Sequence, residues 1–221
     1  NAGTLAITDF RSINLTSTSA INIGATTVAG TLNIGTSTAS TAAGLTAAAT
    51  RVINLAGTTG GATINANQAV ASPVILTAAF TATGAGTKTL TLGGSNTADN
   101  IINGAIVDNL TGTNLTNVTK ADAGTWVLGG ANTYTGATTI TNGTLKLKAT
   151  AAASDIIKSA AATNTVVFTT NATTQSAGGT LQFTGVSGAA TTETLGALTP
   201  TAGAGRVTIN SGGGGAAGSR P

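Results

Sequence analysis

The sequence contains no cysteine, histidine or methionine, and these absences exclude whole classes of chemistry. Without cysteine there is no disulfide and no thiol nucleophile, and without cysteine and histidine the common zinc sites have no ligands. A Ser-His-Asp hydrolase triad cannot be assembled either. We therefore expect no catalytic residue, no cofactor and no metal site.

Charged residues make up only 7% of the chain and aromatic residues only 3%, against about 25% charged residues in typical soluble domains. The nine lysines and arginines are spread along the chain and form no patch that would follow a phosphate backbone. Aromatic side chains for base stacking are scarce, so nucleic acid is not an expected partner. No apolar run approaches the ~20 residues of a transmembrane helix.

What the chain does contain is threonine, alanine, glycine and asparagine, with isoleucine, leucine and valine between them. β-Branched residues interleaved with turn formers favour β-structure. A mean hydropathy of +0.30 and a net charge of +3 argue against disorder. The composition predicts an ordered, all-β protein.

An apolar-Asn-apolar motif recurs in the N-terminal part of the chain. It stands at residues 13–15, 21–23, 32–34 and 53–55. In a strand the flanking apolar residues face a core and the asparagine faces outward. Short strands of this kind fit either a β-sandwich, completed by a strand from a neighbour, or a β-solenoid. The similarity of successive strands favours the solenoid, with roughly ten coils of about 20 residues each.

Alternation is sharper from residue 87 onward, where residues 87–94 and 124–130 share a Leu-x-Leu-Gly-Gly design. Trp126 replaces the first leucine, so we expect it to fill the core at a site equivalent to that of Leu90. Lys146 and Lys148 alternate with leucines and should face water. The predicted structural core is Leu90, Leu92, Trp126, Leu128, Ile140, Leu145, Leu147, Leu181 and Phe183.

The chain shows no clear two-domain boundary. We expect residues 1–211 to form a single solenoid, with a seam near residues 86–88 where the repeat style changes. The more regular repeats then occupy residues 86–210. Residues 212–221 are glycine-rich and are expected to form a linker or tail.

Residues 124–147, GTWVLGGANTYTGATTITNGTLKL, resemble the autotransporter-associated β-strand repeat, also called the passenger-associated transport repeat. That family has a Gly-x-Leu-x-Leu-x-Gly strand, an Asn-x-Tyr-x-Gly turn, a Thr-Thr-apolar strand and a Gly-Thr-Leu strand. Trp126 and Gly129 depart from the usual residues, and residues 178–185 look like the next coil. The resemblance implies a right-handed parallel β-helix in an exported bacterial protein, with no catalytic residues to carry over.

The expected function is therefore structural: a stiff rod, secreted or on the bacterial cell surface, that self-associates end to end or forms part of a longer passenger. An adhesin that binds a host, a surface or a polysaccharide is the alternative. A polysaccharide-acting enzyme is the weaker reading, because it needs two carboxylates facing one sugar. The acids considered for this role are Asp99, Asp108 and Asp122, and Lys120 is nearby. We expect these aspartates to be solvated turn residues without a catalytic role.

Two further patterns concern the surface. Thr-x-Thr pairs invite an ice-binding interpretation, but their spacing is irregular, so outward threonine in its role as a β-former is preferred. Asn-x-Thr sequons leave surface glycans open. The pairs are Thr16/Thr18, Thr36/Thr38, Thr81/Thr83, Thr87/Thr89 and Thr139/Thr141, and the sequons begin at Asn14, Asn109, Asn114, Asn117, Asn142 and Asn171.

Overall fold

The computed structural model describes residues 3–7, 19–35, 45–47, 51–68, 73–109, 114–150, 155–157, 164–169, 178–202 and 205–212. These residues form strands in three sheets and no helix. The eight-stranded sheet stacks β1 (Gly3–Ile7), β3 (Gly30–Ile34), β6 (Ala62–Ala66), β9 (Lys88–Gly93), β11 (Thr116–Lys120), β13 (Thr138–Ile140), β15 (Val166–Phe168) and β17 (Leu198–Pro200). The seven-stranded sheet stacks β4 (Leu45–Ala47), β7 (Val74–Leu76), β10 (Asn100–Ile102), β12 (Thr125–Leu128), β14 (Thr144–Lys148), β16 (Thr180–Thr184) and β18 (Arg206–Asn210). The three-stranded sheet contains β2 (Ile21–Thr26), β5 (Ile53–Gly57) and β8 (Phe80–Ala82).

Each strand pairs in parallel with a strand of the next coil, for example Leu32 with Ile64 and Leu145 with Leu181. The chain therefore visits each face once per coil, which is the arrangement of a β-solenoid, and the fold prediction is confirmed. The alternative of a β-sandwich does not fit this parallel stacking. Parallel ladders satisfy the main-chain groups between coils, so most coils need only their neighbours.

The coils are longer than the sequence analysis predicted. In-register partners are 20 residues apart for Val118 and Thr138 but 32 residues apart for Gly30 and Ala62. The estimate of ten coils of about 20 residues was therefore wrong, because the corners between strands vary in length and lengthen many coils. Each coil also carries a third face and variable corners between its two long sheets.

Alternation along each strand sorts side chains into an inner and an outer set. Leu32, Ile64 and Leu92 form one inward column and are at most 1% exposed. Burial of each such side chain contributes roughly 1.5–3 kcal/mol. Asparagines of the recurring motif lie on the opposite face, where Asn54 donates to the Oδ1 of Asn22 at 2.8 Å and to the Oγ1 of Thr83 at 2.8 Å.

After β8 the third face continues without regular strands. Its coils are joined by single main-chain bonds, such as Phe80 N–H to the Ala105 carbonyl at 2.8 Å and Thr133 N–H to the Ile106 carbonyl at 2.9 Å. Asn132 and Ile157 add an isolated parallel bridge. Side chains supply the remaining bonds on this face, and they are described below.

Candidate functional site

Asp99, Asp108 and Asp122 each have a different partner. Asp99 forms an ion pair with Lys146 at 2.6 Å on the surface. Asp108 accepts the N–H of Thr116 at 2.6 Å and both the N–H and the hydroxyl of Thr135. Asp122 accepts the N–H of Gly94 at 2.9 Å. The three carboxylates therefore hold corners and turns of the chain. No two of the three aspartates share a partner.

Eight of the nine predicted core residues are at most 1% exposed, and the ninth, Phe183, is half-buried near the C-terminal end. Trp126 lies inside the solenoid and donates from Nε1 to the Gly93 carbonyl at 2.9 Å. Its position is not equivalent to that of Leu90, because β12 belongs to the seven-stranded sheet and β9 to the eight-stranded one. Leu145 occupies the next place in its column.

Residues 118–147 run through parts of two consecutive coils, and polar side chains in this segment replace missing ladder bonds. The buried Asn132 accepts the N–H of Ile106 at 2.9 Å and donates to the Ile156 carbonyl at 2.8 Å. Tyr134, fully buried, shares a 2.9 Å hydrogen bond with the Thr138 hydroxyl. A Cβ at Gly136 would lie 2.4 Å from the Thr116 carbonyl, so this turn needs glycine to let the coils approach.

Two lysines lie inside the solenoid, a feature the sequence analysis missed. Lys120 is 0% exposed and occupies an inward column between Leu92 and Ile140. Its Nζ donates to the carbonyls of Ala121, Asp122 (2.8 Å) and Asn142 (3.3 Å). Burial lowers the pKa of Lys120 to about 8, and the nearby Asp122 carboxylate opposes this shift.

Lys88 is arranged in a similar way one coil earlier. It is 1% exposed, and its Nζ donates to the carbonyls of Gly84 (3.0 Å), Ala85 (2.7 Å) and Gly86 (3.0 Å). Burial lowers its pKa as well. Both ammonium groups therefore act as internal cations that hold the carbonyls of a corner together.

Glu193 has a comparable role on the third face, near the C-terminal end. Its two carboxylate oxygens accept the N–H groups of Ile156 at 2.6 Å and Ile157 at 2.7 Å. Burial raises the pKa of Glu193 to about 7, although these two hydrogen bonds act in the opposite direction. The carboxylate takes the place that a strand of the next coil would fill.

One comparison with known proteins addresses this same segment. A family model described as the passenger-associated-transport-repeat matches residues 118–147. The chain carries a passenger-associated transport repeat. The matched residues run from β11 through β14, and since β13 stacks on β11 and β14 on β12, the repeat spans parts of two consecutive coils. The resemblance noted at residues 124–147 is confirmed.

A longer stretch of the chain is similar to the adhesin BmaC autotransporter of Brucella suis biovar 1 (strain 1330). The two sequences are 52% identical over 60 residues, which are 27% of this chain and 2% of that protein. The matched stretch is thus a very small part of the relative's length. No solved structure matches the chain.

Known features of the passenger-associated transport repeat here acquire a physical explanation. The asparagine of its turn is Asn132, which replaces main-chain ladder bonds, and the tyrosine is Tyr134, which fills the core. The glycine before its last strand, Gly143, has a φ of +66° and borders the Lys120 ammonium. The repeat residues therefore act as structural parts of a coil.

The outward face of the eight-stranded sheet carries a column of threonines. Thr31, Thr63, Thr91, Thr119 and Thr139 lie side by side on successive strands. Of the Thr-x-Thr pairs singled out in the sequence, only Thr139 belongs to this column, and Thr16/Thr18 and Thr36/Thr38 lie outside the described residues. Irregular spacing in the sequence therefore conceals a regular column, because coil length varies while register does not.

The sequon asparagines that the structure describes are used in corners. Asn117 accepts the N–H of Ala137 at 2.9 Å, and Asn142 accepts the N–H of Gly143 at 2.7 Å. Asn109 is buried, and Asn14 and Asn171 lie outside the described residues. Among the described residues there is no helix long and apolar enough to cross a membrane, and no group of three or more acidic side chains that could hold a metal ion.

The inward columns are covered in the middle of the solenoid and uncovered at its C-terminal end. Val207 and Ile209, which stack on Leu181 and Phe183, are 45% and 77% exposed. A cavity of about 250 Å³ lies beside them, lined by Leu147, Leu181, Phe183 and Leu195 among others. At the other end Leu5 of β1 is 47% exposed. Among the described residues, four of the five large hydrophobic side chains that are exposed, Leu5, Leu198, Val207 and Ile209, lie in the first and the last strands.

Proposed function

We propose that the chain is a rigid β-solenoid segment of an adhesin-like passenger at the bacterial surface, and that its function is mechanical and not catalytic. The observation that carries the proposal is the parallel stacking of inward columns from β1 to β17, with a passenger-associated transport repeat that spans parts of two consecutive coils. The similarity to an autotransporter adhesin supports the extracellular location.

In this role the solenoid sets the distance between the cell surface and whatever the passenger binds. Its rigidity comes from ladders that run along the long axis, and buried amide side chains such as Asn132 and Asn100 add bonds between coils. We further propose that residues 1–211 act as one unit. We also propose that the open ends are covered either by further coils of the same passenger or by an identical chain.

The test is surface accessibility combined with shape. Intact cells that make the protein, with an epitope inserted after Gly188 in an exposed turn, are labelled with antibody and treated with protease before lysis. We expect labelling and slow cleavage, and electron microscopy of the purified chain should show short rods. Labelling only after lysis, or compact particles without a long axis, would contradict the proposal.

A matched pair of variants separates a mechanical role from an enzymatic one. Leu128→Asp places a charge in the central core and should abolish rods, whereas Asp99→Asn removes only a surface ion pair with Lys146 and should leave the shape unchanged. If a polysaccharide were degraded by the wild-type chain and not by Asp99→Asn, the non-catalytic assignment would be wrong.

A further inference from the structure

The sequence contains two Asn-Gly steps, Asn103-Gly104 and Asn142-Gly143. The first directly follows β10, and the second lies in the turn between β13 and β14. At such a step the main chain can react with its own side chain, because a glycine nitrogen, with no Cβ beside it, can reach the Cγ of the preceding asparagine. The surroundings of the two steps differ, and the difference predicts which of them reacts.

At Asn142 the two reacting groups are already in contact. The Gly143 N–H donates to the Oδ1 of Asn142 at 2.7 Å, so the nitrogen lies against the side-chain amide that it would attack. A rotation of this amide about the Cβ–Cγ bond turns its face toward the nitrogen. Residues 141–144 are half-buried, so water reaches the turn. Proximity of this kind is what accelerates a reaction within one molecule.

The ammonium group of Lys120 is bonded to the same peptide unit. Its Nζ donates to the main-chain carbonyl of Asn142 at 3.3 Å, and this carbonyl is joined to the Gly143 nitrogen. A Cβ on Gly143 would lie 2.8 Å from Nζ, so the ammonium group lies directly beside the step. When the nitrogen gives up its proton, negative charge is shared with the carbonyl oxygen, and a cation bonded to that oxygen stabilises the reactive form.

Asn103 has neither feature among the contacts of the described residues. Its Oδ1 leans toward the next coil, where a Cβ on Gly129 would lie 2.7 Å from it, and it accepts no hydrogen bond from Gly104. Its main-chain carbonyl faces Gly130 and has no lysine donor. Exposure differs in the opposite direction, since Asn103 is exposed and Asn142 is half-buried. Geometry and exposure therefore predict opposite orders of reactivity for the two steps.

We propose that Asn142 is a site of spontaneous deamidation, at which the Asn142-Gly143 step closes to a succinimide with the help of the Lys120 ammonium group. The Gly143 nitrogen loses its proton to water and forms a bond to the Cγ of Asn142. The Cγ–Nδ2 bond breaks, Nδ2 takes up a proton, and ammonia leaves. Water then opens the ring, at Cγ to give aspartate or at the main-chain carbonyl to give isoaspartate. This inference does not depend on the proposed mechanical function.

The isoaspartate product changes the shape of this corner. It adds one methylene group to the main chain directly before Gly143, where a Cβ would already overlap the carbonyl oxygens of Asp122 and Gly124. The turn between β13 and β14 then has to move, and Lys120 loses one of its carbonyl partners. Because the loss of ammonia is not reversed, the product should accumulate with the age of the protein.

Ageing of the wild-type chain tests the choice between the two steps. The folded chain is kept at neutral pH, a second sample is kept in concentrated urea, and peptides that contain each step are followed by mass spectrometry, with chromatography to separate aspartate from isoaspartate. In the folded chain we expect Asn142 to react about 10-fold faster than Asn103, and in urea we expect similar rates. Equal rates in the folded chain, or a faster reaction at Asn103, would overturn the proposal.

Lys120→Met tests the part played by the ammonium group and should slow deamidation of Asn142 by about 3- to 10-fold. Lys88→Met is the matched control, because it removes a similarly buried ammonium group whose described bonds go to other carbonyls, and it should leave the rate unchanged. Asn103 in the same samples reports unfolding, since an unfolded variant would show the rate seen in urea. Equal rates at Asn142 in the two folded variants would overturn the role of Lys120.

Discussion

Lys120 lies in an inward column between Leu92 and Ile140, Lys88 lies inward beside the buried Thr116, and each ammonium group is surrounded by main-chain carbonyls. A buried charge is tolerated only when its hydrogen-bonding capacity is used. Here the charge neutralises several carbonyl dipoles that converge at a corner. The side chain also fills the column, since four methylene groups replace the volume of a leucine.

The titration of Lys120 gives the first prediction. Its pKa is about 8 in the folded chain against 10.5 when exposed, so between these values the unfolded chain holds more protons. The free energy of unfolding should therefore rise as the pH increases from about 8 to about 10, by roughly 2 kcal/mol. Urea denaturation at several pH values measures this rise.

Lys120→Met is the control for that measurement, because it removes the titrating group and keeps the volume. In this variant the rise across the same pH range should be smaller by the Lys120 contribution, and what remains is expected from Lys88, whose pKa is also lowered by burial. The measurement ends near pH 10 because burial raises the pKa of Tyr134 above its usual range, which lowers stability at higher pH. An equal rise in wild type and variant would show that Lys120 is not its source.

Alternation predicted the orientation of most core residues, and it contained the signal for Lys88 as well. Lys88, Leu90 and Leu92 are two residues apart and share a face, as do Thr116, Val118 and Lys120. The sequence analysis did not follow this pattern through to the lysines, because a charged residue is rarely buried without a partner. The carbonyl partners come from corners, and no sequence pattern located them.

At the scale of single elements, the third face after β8 shows how side chains replace strands. Asn132 joins three coils, because its amide bonds to Ile106 below, Gly130 within its own coil and Ile156 above. Asn100 does the same in the seven-stranded sheet, where it accepts from Val74 and donates to the Thr125 carbonyl. An amide side chain offers the same donor and acceptor pair as the main chain.

Asn132→Leu should therefore destabilise the chain by roughly 2–4 kcal/mol, because the Ile106 N–H and the Gly130 carbonyl lose the side-chain partner and the Ile156 carbonyl keeps only the main-chain N–H of residue 132, while the volume is kept. The measurement is the midpoint and slope of denaturant unfolding. Gln182→Leu on the outer face of β16 is the matched control, since its amide bonds only locally to Thr184. It should change stability by less than about 0.5 kcal/mol. Equal effects would contradict the bridging role.

Coil length and register are also determined at the level of single strands and corners. The strands themselves were readable from alternation, and so was the solenoid, because successive strands share a pattern. The sequence did not show which strand stacks on which. Trp126, for example, pairs with Leu145 and not with Leu90. Corners of variable length decide that pairing, and their glycine, asparagine and aspartate residues have no periodicity to reveal it.

The whole molecule behaves as a one-dimensional stack in which each coil contacts only its neighbours. A cavity that a substitution creates in a central coil is then enclosed by coils on both sides. A substitution in the last coil affects the contact with one neighbouring coil only. We expect Leu128→Ala to cost about 2–4 kcal/mol and Val207→Ala to cost under about 1 kcal/mol, because Val207 is already 45% exposed. Denaturant unfolding of the two alanine variants compares the sites directly, and similar costs would show that the end is covered in solution.

The same stacking predicts how protection from hydrogen exchange varies along the axis. Amides of β11 to β14 have paired strands on both sides and should exchange slowest, near the rate set by global unfolding. Amides of β18 and β4, the two edge strands of the seven-stranded sheet, have a paired strand on one side only and should exchange faster than those of the strands between them. Exchange measured by mass spectrometry reads this gradient, and uniform protection of all strands would mean that the coils unfold only as a single unit.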